Sequence, residues 1–136
     1  MKLEHVIIDQ YKIPLCEMIH EKWFSSCLTN CTSIIVLIDG TSFSPLSCAS
    51  FLQSLFNNSV FLKNPLPILF AVNKSDCKNV VHNSVVYSQI EKELGTLLEC
   101  SDYSFKIYSP CTIYACNCSV QTNSYGLLLD FMKASV

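Results

Sequence analysis

The run Ile34-Ile35-Val36-Leu37-Ile38 places an aliphatic residue at every position, and most are β-branched. Successive side chains of a strand point to opposite faces, so a strand built from this run needs apolar cover on both sides. A second run, Ile68-Leu69-Phe70-Ala71-Val72, follows Pro65-Leu66-Pro67 and stops in the polar tetrad Asn73-Lys74-Ser75-Asp76. Two such strands belong in a parallel sheet with helices on both faces. In open sheets of this kind, ligands lie beyond the carboxyl ends of the strands, which is where the tetrad falls.

Helical spacing fills the intervals between apolar runs. From Pro14 to about Leu28, the residues Leu15, Met18, Ile19, Trp23 and Phe24 recur three to four apart, and Pro14 suits a first turn. Ser44-Pro45 supplies an N-cap and a first-turn proline for a helix carrying Leu46, Ala49, Leu52, Leu55 and Phe56 to about Asn57. Asn83 or Ser84 is expected to cap a helix with Val86, Ile90, Leu94 and Leu97 on one face and Glu91, Lys92 and Glu93 on the other. Leu3 to Asp9, with Val6-Ile7-Ile8, reads as a short strand, and Cys111 to Cys116 as the last one. Tyr103 to Tyr108 is expected as a hairpin arm, and Ser124 as the cap of a final helix through Leu127, Leu128 and Phe131. The alternation predicts a three-layer α/β fold, a mostly parallel sheet of about four strands with right-handed crossovers and helices on both faces. No repeat or linker divides residues 1–136, so one domain is expected.

Composition excludes several function classes. The 136 residues are half apolar and 15% charged, with net charge −2, which leaves no electrostatic footprint for nucleic acid or an anionic membrane. The longest aliphatic segment, Ile34 to Ile38, is far short of the ~20 residues that span a bilayer, so no membrane-crossing segment is expected. Glu4 and His5 stand where a signal peptide would be apolar. Nine cysteines and the N-x-S/T sequons at Asn30, Asn57, Asn73 and Asn117 raise a secreted, disulfide-bonded domain. The odd count, the scatter and sequons at the ends of strand runs argue instead for reduced cysteines in a cytosolic chain. Cys27/Cys31 and Cys116/Cys118 form no C-x-x-C half-sites, so no metal is expected. His5, His20 and His82 are spread along the chain, and no catalytic residue is assigned.

The tetrad has two readings. Asn, Lys, Ser and Asp are ordinary turn residues, so it can be a polar turn that ends a core strand. It also resembles the N-K-x-D guanine-reading motif of Ras-like GTPases. A carboxylate at Asp76 can accept both the N1–H and the exocyclic N2–H of guanine, a pair of donors that adenine lacks. In that reading Asn73 meets the acceptor edge of the purine and the Lys74 stem lies against the ring face.

The surroundings extend the resemblance to nearly the whole chain. Asp9 at the end of the first strand, Ile38-Asp39, the helix Phe51-Leu52-Gln53-Ser54-Leu55-Phe56, the approach Lys63-Asn64-Pro65-Leu66-Pro67 and the run Glu91-Lys92-Glu93-Leu94-Gly95-Thr96-Leu97 together resemble the β subunit of the signal recognition particle (SRP) receptor. The extra stretch between Leu98 and Thr112 also resembles an insertion in that family. The resemblance implies the C-terminal two-thirds of a P-loop GTPase fold, truncated at the N-terminus. It implies GTP as ligand, the SRP receptor α subunit as partner, and a place on the cytosolic face of the endoplasmic reticulum membrane in co-translational targeting. The family's S-A-K turn, whose backbone touches the guanine oxygen, aligns with Asn117-Cys118-Ser119, where an ordinary strand-to-helix turn is the competing reading.

The departures from the family are specific. No G-x-x-x-x-G-K-S/T loop exists, since the three glycines are Gly40, Gly95 and Gly126. Aligning Asp9 with the D-x-x-G motif puts Lys12 at the glycine, and Ile13 falls where these enzymes keep a water-orienting side chain. Hydrolysis by this chain alone is therefore not expected, and GTP binding is expected to be weak or lost. The alternative function is a scaffold of the same fold that binds no nucleotide and acts through protein contacts. With the family's central first strand absent, Val6-Ile7-Ile8 is predicted to pair directly with Ile34–Ile38.

Overall fold

The computed structural model describes residues 22–134. In chain order they form α1 (Lys22–Asn30), β1 (Ile34–Asp39), α2 (Pro45–Phe56), α3 (Ser59–Lys63), β2 (Ile68–Asn73), α4 (Asn83–Leu97), α5 (Phe105–Tyr108), β3 (Ile113–Asn117) and α6 (Gly126–Ala134). The strands make one parallel sheet in the order β1-β2-β3. Ile34 pairs with Ile68 and Asp39 with Asn73, while Ile68 also pairs with Ile113 and Val72 with Asn117. All three carboxyl ends therefore open on the same side. The expected strand at Leu3–Asp9, its pairing with Ile34–Ile38, and the helix before Lys22 lie outside the described residues; among the described residues three strands are present.

Strand alternation divides the apolar residues between two layers. Val36, Ile38, Ile68, Phe70, Val72 and Ile113 join a large core with Phe24 and Leu28 of α1, Phe51, Leu52 and Leu55 of α2, Phe61 of α3 and Val86, Ile90 and Leu94 of α4. Phe70, at the centre of β2, is fully buried. On the other face Leu69, Ala71, Cys116 and Cys118 meet Tyr125, Leu128 and Phe131 around α6. Among the described residues that second layer packs on β2 and β3 and not on β1, where Ile35 is 37% and Leu37 56% exposed.

The helix ends follow local chemistry, with four corrections to the sequence reading. Ser44 caps α2 as expected, accepting from Ser47 N ahead of Pro45 in the first turn. His82, rather than Asn83 or Ser84, caps α4, because its ring Nδ1 accepts from Ser84 N at 3.2 Å. Tyr103–Tyr108 is not a hairpin arm: Phe105–Tyr108 is a short helix whose first backbone N–H donates to Glu91 Oε2 at 2.9 Å. Glu91 thereby turns from the solvent face of α4 to hold α5. β3 begins at Ile113 rather than Cys111, since the Ser109 hydroxyl donates to Cys111 O at 2.7 Å and keeps that stretch in a turn. Ser124 does not cap α6: its backbone pairs with Ser119 in an isolated antiparallel bridge, and the helix starts at Gly126. The sequence reading also missed α3, which Asn58 caps by accepting from Val60 N and Phe61 N at 2.9 and 3.1 Å. Among the described residues no helix is long and apolar enough to cross a membrane.

Candidate functional site

β2 delivers Asn73 to the edge of the sheet, and Lys74 then takes a left-handed backbone conformation, φ 63°. A lysine tolerates this region at some cost, so the sharp exit from the strand is held by neighbours. The parallel ladder continues past both strands, with Cys118 N donating to Val72 O at 2.8 Å and Ser75 N to Cys118 O at 3.1 Å. These bonds clamp the tetrad against the residues that follow β3.

Side chains complete the clamp. The Ser119 hydroxyl donates to Asp76 Oδ1 at 2.6 Å and accepts from Thr122 N at 3.3 Å. Ser119 is fully buried, whereas Asp76 is exposed, so a fixed hydroxyl holds one oxygen of a solvent-facing carboxylate. Val120 N donates to Asn73 Oδ1 at 3.3 Å, which sets the orientation of that amide. Backbone bonds of 2.8 Å in each direction between Ser119 and Ser124 close the loop behind it. The Asp76 carboxylate retains accepting capacity, and the Asn73 amide nitrogen faces no acceptor among the described residues. A carboxylate oxygen and an amide nitrogen left open side by side can accept from N–H donors and donate to an adjacent acceptor.

The β1 side of the same edge is built from charge. Lys74 Nζ lies 2.7 Å from Asp39 Oδ2, while Asp39 Oδ1 accepts from Thr41 N at 2.9 Å and Thr41 Oγ1 at 2.6 Å. The Lys74 ammonium, then the Thr41 hydroxyl and backbone N–H, hold the Asp39 carboxyl down at about 2, and Asp39 raises the Lys74 ammonium in turn. Gly40 joins the two halves, donating to Asn73 O at 3.1 Å and accepting from Val81 N at 2.8 Å. A Cβ at Gly40 would fall 2.8 Å from Asn73 O and collide with Val80, so only glycine fits this approach.

No protein-family model matches the chain, and no curated protein matches it. Among solved structures, a chain from "The Structure of the Mammalian SRP Receptor" aligns with a TM-score of 0.66 and 22% sequence identity, covering 84% of this chain and 67% of that one. The fold is SRP-receptor-like.

On this SRP-receptor-like fold, five of the six residues singled out from the sequence meet at the strand ends. Asn73, Asp76, Cys118 and Ser119 converge, with Cys118 Sγ 4.0 Å from Asn73 Oδ1. Lys74 is beside them, its ammonium directed to Asp39. Asn117 turns the other way: its Oδ1 accepts from Asn83 N at 3.0 Å at the start of α4, and Asn83 donates back to Ala115 O at 3.4 Å. Sequence reasoning missed Asp39 as the partner of Lys74, Gly40 as the close approach, and the Val120 N–H. The Asp39-Gly40 dipeptide at the end of β1 was the available signal for the first two. The side chain of Trp23 lies outside the described residues.

Proposed function

We propose that this chain is a divergent relative of the SRP receptor β subunit, a GTP-binding-type domain that keeps the base-reading half of a nucleotide site and works as a partner of the receptor α subunit. The observation that supports it is the clamp of Asp76 by Ser119 and of Asn73 by Val120 N–H, at the carboxyl ends of β2 and β3 of an SRP-receptor-like fold. In this reading Asp76 accepts the two guanine N–H donors while Ser119 holds its other lone pairs, Asn73 donates to the purine's acceptor edge, and the Lys74 stem flanks the ring. Cys118 and Ser119 form the turn beneath it. The residue set suits recognition of a base, and no G-x-x-x-x-G-K-S/T loop occurs within residues 1–136. Location at the cytosolic face of the endoplasmic reticulum follows from the same proposal.

Titration with fluorescently labelled GTP and ATP tests the ligand. Weak, guanine-selective binding that disappears in Asp76→Ala supports the reading, and equal binding of both purines contradicts it. Co-precipitation with the SRP receptor α subunit tests the partner. The second reading, a scaffold that binds no nucleotide, is favoured by the pairing of Lys74 with Asp39, which commits the ammonium nearest the tetrad to a protein carboxylate. It predicts α-subunit binding with no nucleotide binding.

A further inference from the structure

α6 begins beyond the Ser119/Ser124 bridge at the carboxyl edge and ends at Ala134, which shares a groove with Pro67 and Leu69 at the start of β2. The helix thus runs from the tetrad's end of the sheet to the opposite end. The groove between helix and sheet there has a volume of about 440 Å³, within the ~300–1,000 Å³ of small-molecule sites. Leu69 and Cys116, both buried, form its floor, and Tyr114, Leu127 and Phe131 line it above them. Asp130 is the one charged residue in this lining.

Three features of the groove have the same electrostatic sense. The Asp130 carboxylate is exposed, so it meets a ligand at the rim without having to be desolvated first. The last carbonyls of α6 have no partner within the helix and make up the negative end of its dipole, beside Ala134. The rings of Tyr114 and Phe131 meet edge to face at 5.6 Å, and the face of such a ring attracts a cation. Lys133 in the last turn is the single cation of α6, and it does not line the groove.

We infer that this groove binds a small organic cation with an apolar tail, a primary alkylammonium, as a site separate from the tetrad. The tail lies on Leu69, Cys116 and Leu127, and the ammonium sits among Asp130, the end of α6 and the Tyr114 ring. Charge complementarity selects the cation. A carboxylate on the same tail meets Asp130 and the negative helix end, and a neutral alcohol buries its tail with no gain at the rim. The inference does not depend on the base-site reading, because groove and tetrad lie at opposite ends of β2.

A two-dimensional ¹H–¹⁵N NMR titration of the full chain with octylamine, octanol and octanoate at low salt tests it. Octylamine should shift the amide signals of Leu69, Tyr114, Leu127 and Phe131 and leave Asn73 to Asp76 in place. It should bind about two- to fivefold tighter than octanol, the range for an exposed ion pair, and octanoate should bind weakest. That preference should vanish in Asp130→Asn and at about 0.5 M salt, as screening requires. Leu127 is 65% exposed, so Leu127→Asn should leave the fold intact and weaken octylamine and octanol alike. Octanoate binding as tightly as octylamine, or octylamine shifts confined to other residues, overturns the proposal. An octylamine preference that survives in Asp130→Asn overturns the role of Asp130. No response to any of the three probes overturns the site, as does a concentration-dependent shift of the same signals in the ligand-free chain, which assigns the groove to a second copy.

Discussion

The two halves of the sheet's carboxyl edge are held by different forces. At the β2–β3 half, Asn73, Asp76 and Ser119 are tied by directional bonds between loops, and the anchoring hydroxyl of Ser119 is buried. At the β1 half, Lys74 and Asp39 meet as an ion pair with side chains 48% and 38% exposed. Bonds anchored in the interior preserve geometry, whereas an exposed pair exchanges readily with water and salt. The first half is therefore a preorganised set of polar groups, and the second an adjustable electrostatic element.

Both halves hang on β2, so the largest effect comes from its centre. Phe70→Ala removes a fully buried ring from the large core and should cost about 3–5 kcal/mol in chemical denaturation. The two halves should then be lost in one transition, and separate transitions would break the picture of a shared strand. Gly40→Ala comes next, because the added Cβ meets Asn73 O and Val80 where the halves touch. Overpacking of this kind costs about 1–3 kcal/mol, and the tetrad should shift with it, visible as altered amide resonances for Asn73 to Asp76.

Ser119→Ala separates the halves more finely. It leaves Asp76 Oδ1 and Thr122 N without their partner, for a loss of about 1 kcal/mol in thermal or urea unfolding. Binding at the β2–β3 half should weaken while the Lys74–Asp39 pair persists. The smallest effect belongs to the β1 half. The Asp39 carboxyl is held at about 2 against an ordinary value of 3.8, so its pairing contributes stability that is complete above that ordinary value and is lost as pH falls through about 2. The stability difference between the unmodified chain and Asp39→Asn should therefore be constant near neutrality and shrink in that acid window. A difference that grew on acidification would reverse the assigned sign.

Much of the scaffold was legible because its signals are local. Ile34–Ile38 and Ile68–Val72 are uninterrupted apolar runs that read as strands, although among the described residues only β2 is buried on both faces, and Ser44-Pro45 marks the start of α2 by its own chemistry. Short elements escaped: α3 and α5 are too brief to show helical periodicity, and α5 is held by Glu91 from fourteen residues away. Ser124 fits the composition of a cap, yet its backbone was claimed by Ser119. At the site, the tetrad could be read directly from the sequence, but its partners could not. Lys74 and Asp39 are 35 positions apart, and Asp76 and Ser119 are 43 apart, so only the parallel register brings them together. Asn117 shows the converse, since strand alternation sends its side chain to α4 instead of the tetrad.

The most direct test of a base-reading half-site is a two-dimensional ¹H–¹⁵N NMR titration of the full chain with guanosine and, in parallel, adenosine. Guanosine should move the amide signals of Asn73 to Asp76 and of Cys118 to Thr122, and adenosine should leave them in place. Guanosine shifts that spare these two segments, or equal shifts from both nucleosides, would contradict the assignment of the β2–β3 edge as a guanine reader.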